Sequence, residues 1–277
     1  MALKVAPRKR RRIITPDFIE ITNDPLSERR VFLENRPNSR FKFTAEESVK
    51  RAQDQHTISR AFERAGIPSQ RVLKRTLNLT AQDFVHGTPL GDTPSTRNRL
   101  NQIARLLARM HQIPQPRTLL KETIPELRRQ IGRVTRKLGK LNVLDPIERK
   151  RLGAHLRQRI PRHARTVLTH RDVTRDNTFK QGKKIVLIDI GDAGLDFVGL
   201  ELARTIYNQR LTENEIPAFL KAYRRYGGDP TPYLSHQEFW DTYIRSRKLR
   251  SSAQRKNQKR RVKREKKSLL ERLRSSK

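Results

Sequence analysis

Three short apolar stretches open the chain after its first turn of residues: "FIEIT", "RRVFLE" and "RFKFT". The first two are closed by the turn signals "NDP" and "NRPNS". In the third, Phe41 and Phe43 fall on one face of an alternating pattern and Lys42 on the other. Residues 18–44 are therefore predicted as strands. The period then changes. Residues 45–65 read as a helix, with Thr44 and Glu47 as a candidate capping box and Gly66 and Pro68 as its stop. "RVLKRTLNLT" is β-branched enough to be a strand, and "QDFVHGTPLGDTPS" reads as a connector. From Thr96 to His111 the spacing of Leu100, Ile103, Leu107 and Met110 predicts an amphipathic helix. Residues 118–160 predict two or more basic helices broken near "GKLNVLDP". Apolar runs at 166–169 and 184–190 flank a polar loop, and 199–226 returns to helix before "YGGDPTP" closes it. Strands first and helices afterwards give an α+β class, with a small β-rich part and a larger helical one.

Charge changes this picture at the ends. The 277 residues carry 63 Lys and Arg against 28 Asp and Glu, a net charge of +35. Residues 1–12 hold six basic and no acidic residues, and residues 245–277 hold sixteen basic and two acidic. The body between them is still +15. Charge therefore sets off a basic N-terminal segment (1–12) and a basic tail (245–277). The tail is expected to be disordered or a lone helix, with Leu269, Leu270 and Leu273 as a thin apolar stripe. A field of this sign attracts polyanions, so nucleic acid bound without sequence preference through the tail is a candidate partner. The chain has no cysteine, hence no disulfide framework. No apolar run approaches a membrane span and the start lacks a signal-type apolar region, so a soluble, cytoplasmic protein is expected. The Arg-rich start leaves a transit peptide open.

The polar loop carries the chemistry. "HRDVTRDN" puts Asp172 and Asn177 five residues apart in a segment without helical period, so a loop can turn both toward one cavity. A carboxylate can take a proton from an attacking hydroxyl, and an amide oxygen can ligate a hard cation such as Mg²⁺ without adding charge. "KKIVLID" then supplies a strand ending in Asp189, a second oxygen ligand. One Asp as base, with Asn177 and Asp189 on a metal, is the set of parts for phosphoryl transfer from a nucleotide. Protein kinases use His-Arg-Asp, an Asn five residues beyond the Asp, then Asp-Phe-Gly; the match here is His170, Arg171, Asp172, Asn177, then Asp189, Ile190, Gly191. Asp, Asn and Thr are ordinary loop residues, but an apolar strand ending in Asp-x-Gly at the right distance argues against chance.

With those residues in place, the chain resembles the aminoglycoside phosphotransferase and choline kinase-like family. "HRDVTRDN" meets that group's His-x-Asp-x-x-x-x-Asn, and "IDIGDAG" meets its Asp followed by Asp-Ala-Gly. "RAFERAGIPSQRVL", "DFVHGTPLGD", "IARLLARMHQIP" and "FLKAYRRYGG" follow in the family's order, so the resemblance spans roughly residues 15–240. It implies a two-lobed protein-kinase-like fold, with a nucleotide-binding N-lobe at 13–86 and a catalytic and substrate C-lobe at 87–244, ATP and Mg²⁺ as cofactors, and an alcohol group as acceptor. It also implies that Lys42 is the strand lysine that holds the nucleotide phosphates. His170 is expected to brace the catalytic loop through backbone hydrogen bonds, and Arg171 to pair with a local carboxylate or face the substrate. Asp176 is read as satisfying its own loop backbone, Asp192 as an outer group of the site, and His111 as a packed or capping residue. The sequence departs from the pattern in places. "NDPLSE", where the phosphate-covering loop belongs, has no glycine. Position 55 is Gln where the carboxylate partner of Lys42 is expected, leaving Asp54 or Glu47 as substitutes. "GLDFVGLELA" keeps Asp196 and Glu201 but drops the usual Pro.

For the acceptor, residues 117–165 hold fifteen basic and four acidic residues and no aromatic one. Such a surface repels a polycationic antibiotic and offers no cage for choline. A small, neutral or anionic hydroxyl compound is the expected substrate. The alternatives are a lipopolysaccharide-kinase-like or protein-kinase-like enzyme on a large anionic target, or a catalytically weak kinase-like protein that binds polyanions.

Overall fold

The computed structural model describes residues 12–15, 18–20, 30–34, 41–46, 48–77, 79–83, 85–91, 96–255 and 257–275. "NDPLSE" and Glu47 lie outside the described residues. Six antiparallel strands form the N-lobe sheet: β1 (Arg12–Thr15), β2 (Phe18–Glu20), β3 (Arg30–Glu34), β4 (Phe41–Ala45), β5 (Val72–Thr76) and β6 (Leu79–Asp83), in the order β1-β2-β3-β4-β6-β5. "RVLKRTLNLT" is thus two strands rather than one, turned at Leu77, whose φ is 48°.

One helix, α1 (Val49–Arg64), packs on this sheet through Ile58 and Phe62. Its cap is Ser48, whose Oγ accepts from the Arg51 amide at 3.2 Å. Thr44, the cap expected from the sequence, is instead held in the β4–β6 ladder opposite Thr80. The ladder runs on to Ala45, so the chain is still extended where a cap at Thr44 would have begun the turn.

The helical lobe begins at α2 (Arg97–His111), capped by Thr96. Its predicted stripe of Leu100, Ile103, Leu107 and Met110 is buried. After it come α3 (Ile124–Lys140), α4 (Pro146–Arg159), α5 (Val198–Asn208), α6 (Glu215–Arg225), α7 (Thr231–Leu234), α8 (Gln237–Gln254) and α9 (Lys259–Ser275). Short strands carry the polar loop: β8 (Thr166–Thr169) pairs with β11 (Gly194–Phe197), and β9 (Thr178–Gln181) lies between β10 (Lys184–Leu187) and β7 (Thr88–Pro89). This is a mixed fold with a small antiparallel sheet beside a helical lobe. Among the described residues no helix is long and apolar enough to cross a membrane.

The C-terminal stretch corrects the sequence reading. The boundary expected at 244/245 falls inside α8, whose Phe239, Trp240, Tyr243, Ile244 and Leu249 are all buried. The Trp240 indole donates to the Pro232 carbonyl at 2.9 Å. Beyond it α9 is neither disordered nor alone. Leu269 and Leu273, one turn apart, are buried. Lys266 pairs with Glu148 at 2.7 Å, Arg272 with Asp241 at 3.2 Å, and Arg151 donates to the Leu273 carbonyl at 3.0 Å. A stripe spaced by four residues gives even a strongly basic helix one face to bury.

Candidate active site

The loop between β8 and β9 holds Asp172 and Asn177 together. The Asn177 amide donates to the Asp172 carboxylate at 2.8 Å and to its carbonyl at 3.0 Å. With the amide nitrogen spent there, the Asn177 side-chain oxygen is the atom left for another ligand. Thr174 closes the loop: its backbone amide donates to the Asp172 carbonyl, its hydroxyl accepts from the Asn177 backbone amide, and its carbonyl accepts from the Thr178 hydroxyl. Val173 is buried, and Gln209 pins this side of the loop by donating to the Val173 carbonyl at 3.0 Å while its own carbonyl accepts from Arg175.

Asp189 follows the strand that pairs with this loop. The Ile188 amide donates to the Asn177 carbonyl at 3.0 Å, which sets Asp189 next to Asn177 at the open end of the β9–β10 hairpin. Asp189 adopts φ 59° and ψ 59° in the left-handed region, which Asp tolerates better than most residues. Its amide donates to the Gln70 side chain at 3.3 Å, and Gln70 in turn donates to the Asp83 carbonyl at 2.7 Å. Gln70 is buried and its backbone amide donates to the Leu187 carbonyl at 2.8 Å, so one residue of the α1–β5 linker ties the end of β6 to the Asp189 turn. Nothing in the local sequence of Gln70 singled it out. The connector "DFVHGTPLGD" is strapped to the same hairpin through β7. A Cβ at Gly87 would lie 2.7 Å from the Lys180 carbonyl oxygen, so this approach requires glycine.

Behind the loop lies a buried charge network. Arg171 also has a positive φ, 64°. Its amide donates to Glu201 at 3.0 Å, and its guanidinium donates to the Leu195 carbonyl at 2.8 Å and lies 3.5 Å from Asp196. Arg204 bridges Glu201 at 2.6 Å and Asp196 at 2.9 Å. Arg171 therefore faces carboxylates behind the loop, the first of its two expected alternatives. A Cβ at Gly194 would meet that guanidinium at 3.0 Å, which accounts for the glycine of "DAG". Burial alone would push the Asp196 carboxyl up, but Arg204 and Arg171 outweigh it and hold it below its ordinary value. His170 is fully buried, and its two ring nitrogens find no hydrogen-bond partner among the described residues. It fills space beneath the loop, and the expected bracing by backbone hydrogen bonds is not observed. Asp176 is exposed and makes no hydrogen bond among the described residues, contrary to the expected local turn. Asp192 pairs with Arg51 of α1 at 2.6 Å. His111 is packed as expected, its Nδ1 2.6 Å from the Tyr223 hydroxyl; burial, helped by Arg165, pushes it down to about 3.

Asp172, Asn177 and Asp189 line one cavity of about 1700 Å³. Burial raises the pKa of Asp172, the charges of Lys248 and His170 oppose that, and Asp192 and Asp189 add to it. Lys248 comes from α8, and burial lowers its own pKa against the pull of Asp172. It was not foreseen from the sequence, where it is one cation among the sixteen of the tail. Among the described residues no three His, Cys, Asp or Glu come together to hold a metal by themselves. One carboxylate and one amide oxygen beside each other nonetheless fit a divalent cation that completes its shell with nucleotide phosphates and water.

Lys42 sits opposite Gln82 in the β4–β6 ladder, so both point to the same face. Gln82 donates to Gln55 of α1 at 3.4 Å, which makes this the face toward α1. The helix position where a carboxylate was expected therefore presents the Gln55 amide to the sheet. Asp54, one of the substitutes, pairs instead with Lys50 at 3.2 Å.

The sequence profile of the phosphotransferase enzyme family (APH) matches residues 23–239. No curated protein sequence matches the chain. Among solved structures the chain is similar to amicoumacin kinase hAmiN in complex with AMP-PNP, Ca²⁺ and Ami, at TM-score 0.67 and 14% identity over 93% of this chain and 89% of that one. It is also similar to macrolide 2'-phosphotransferase MphH from Brachybacterium faecium, at TM-score 0.58 and 13% identity over 97% and 92%. A third similar structure is choline kinase LicA from Streptococcus pneumoniae, at TM-score 0.59 and 10% identity over 95% and 91%. At these identities the likeness speaks for the fold.

Proposed function

The chain belongs to the phosphotransferase enzyme family and is a phosphotransferase of alcohol groups, and from that premise we propose that it moves the γ-phosphoryl group of ATP to a hydroxyl of a neutral or anionic acceptor, with Asp172 as the general base. The observation that carries the reading is the joined pair of Asp172 and Asn177 beside Asp189 on one cavity. The acceptor oxygen forms a bond to the γ-phosphorus, the bond from that phosphorus to the β–γ bridging oxygen breaks, and ADP leaves. The acceptor's proton passes to the Asp172 carboxylate, whose raised pKa brings it closer to the working pH of a base. Asn177 and Asp189 would hold a divalent cation together with the nucleotide phosphates. That ion, Mg²⁺ in our reading, supplies neutralisation of the charge on the transferred group. Lys42 would hold the phosphates from the sheet side, with Gln55 and Gln82 as its neighbours on that face. Arg171 and His170 position the loop from behind, through the carboxylates of Asp196 and Glu201 and through packing.

The test is ADP release with ATP and Mg²⁺ across a set of hydroxyl compounds, in the wild type and in Asp172→Asn. The substitution should keep nucleotide binding and cut turnover by about 10²-fold or more, the usual loss when a positioned base is removed. Turnover surviving within a few-fold would remove Asp172 from that role.

A further inference from the structure

The cavity above Asp172 extends past the family match. That match ends at residue 239, whereas α8 runs to Gln254 and α9 to Ser275, and both form walls of the cavity. The two helices bring Arg245, Lys248 and Arg264 to it, the linker between them brings Arg255, and α6 adds Lys221 and Arg224. Arg245 is held in place: it donates to the Ser268 hydroxyl at 2.8 Å, and its guanidinium lies 5.8 Å from the centre of the Tyr207 ring. None of the six makes an ion pair within 4 Å among the described residues, whereas two of the acidic residues of the same walls are spent. Glu265 accepts from Arg261 at 2.7 Å and from Tyr207 at 3.2 Å, and Asp241 pairs with Arg272. The unspent charge around the base is therefore largely positive.

Resting on the phosphotransferase reading, we infer that α8 and α9 form an acceptor subsite for a phosphate-bearing alcohol. The cavity, at about 1700 Å³, is larger than the few hundred to about 1000 Å³ of an ordinary small-molecule site, so it has room for a charged acceptor beside Asp172, Asn177 and Asp189. Guanidinium groups present paired N–H donors that match phosphate oxygens, and four of the six cations are arginines, two of them on the C-terminal helices. Lys248 stands near Asp172 and screens the base carboxylate from an incoming anion. A polycationic acceptor would meet the opposite field.

Two phosphate sources share this chemistry, a free sugar phosphate and the end of a nucleic acid. The experiment measures equilibrium binding to the full chain saturated with AMP-PNP and Mg²⁺, using ribose 5-phosphate, ribose and a short oligoribonucleotide as probes. Wild type is compared with the double variant Lys221→Glu/Arg264→Glu, whose sites are exposed and whose fold is checked by its melting temperature. A second variant, Arg255→Glu, lies outside both helices and guards against a folding effect. Binding of ribose 5-phosphate but not ribose, weakened by about tenfold or more in the double variant as expected for losing charged hydrogen bonds, supports the inference and assigns a free sugar phosphate. Binding of the oligoribonucleotide alone, weakened in the same way, supports it and assigns a nucleic-acid end. Binding of neither, or equal binding by wild type and both variants, overturns it. Failure to bind AMP-PNP at all is a different outcome, which removes the phosphotransferase reading instead.

Discussion

Leu269→Ala tests whether α9 is part of the folded lobe. Leu269 is completely buried and Leu273, one turn on, nearly so, while Leu270 on the flank is only partly covered. Truncating a fully buried leucine costs about 2–5 kcal/mol, because the lost transfer energy is joined by the cavity left behind. At about 2 cal/mol/K of unfolding entropy per residue, a chain of this length loses roughly 5 °C of melting temperature for a cost of about 3 kcal/mol. Leu270→Ala should lose markedly less, since only part of its side chain leaves water. The assay is thermal unfolding followed by circular dichroism, with both variants beside the wild type. A docked helix requires Leu269→Ala to fall well below Leu270→Ala. Equal melting temperatures for all three would mean that α9 is a solvated extension, and the cavity wall attributed to it would go with that conclusion. A chain cut after residue 254 should fail in the same direction and more severely, because it also removes the partners of Asp241, Glu148 and Tyr207.

Asp189→Ala should abolish the Mg²⁺ dependence of nucleotide affinity, and an unchanged dependence in a titration with and without Mg²⁺ would take Asp189 out of the site. The raised pKa of Asp172 should set the acid limb of kcat/KM above the ordinary aspartate range, since the base works only when ionised, and a limb at about 4 would contradict that. His111 stays neutral when folded down to about pH 3, whereas its unfolded form protonates below about 6.5. The unfolded chain therefore binds the extra proton, and stability should fall as pH drops from 6.5 toward 3, by at most about 1.4 kcal/mol per pH unit from this group. His111→Gln should flatten that slope in urea unfolding at stepped pH; an identical slope would assign the acid sensitivity elsewhere.

What the sequence made legible was local. Asp172, Asn177 and Asp189 could be read because a loop and the strand after it carry them within eighteen residues, and the hairpin register then joins them. Gln70 and Lys248 could not be read, because each reaches the site across a long stretch of chain, Gln70 through hydrogen bonds to Asp189 and Leu187 and Lys248 from α8. The helix cap was misread because Thr44 still belongs to a strand, which only the long-range pairing of β4 with β6 shows. The C-terminal helices were misread for a different reason. Sixteen cations outweighed a three-leucine stripe when charge was counted before period, yet the burial of two of those leucines is enough to seat the helix. Gln55 was the more informative departure. The sequence put an amide where a carboxylate was expected, and the sheet side is polar there too, with Thr44, Thr80 and Gln82 buried around it.

The chain uses its charge in two opposite ways. Behind the catalytic loop, cations and carboxylates are matched: Arg171 and Arg204 meet Asp196 and Glu201 in the interior. Buried pairs of this kind often add little net stability compared with apolar packing, but removing one partner is costly because the other charge is left stranded. Their value here is positional. Arg171 holds a left-handed backbone immediately before Asp172, and the Glu201 carboxylate that accepts its amide is itself fixed by Arg204. In front of the loop Lys221 and Arg224 of α6, Arg245 and Lys248 of α8 and Arg264 of α9 make no ion pair among the described residues, so the field there remains available to a ligand. Salt separates the two. Matched interior pairs are screened little, whereas an open cationic wall loses its attraction as ionic strength rises. Raising salt should therefore raise the KM of an anionic acceptor while leaving kcat nearly constant, and a parallel fall in kcat would place the salt-sensitive charges behind the loop rather than over the cavity.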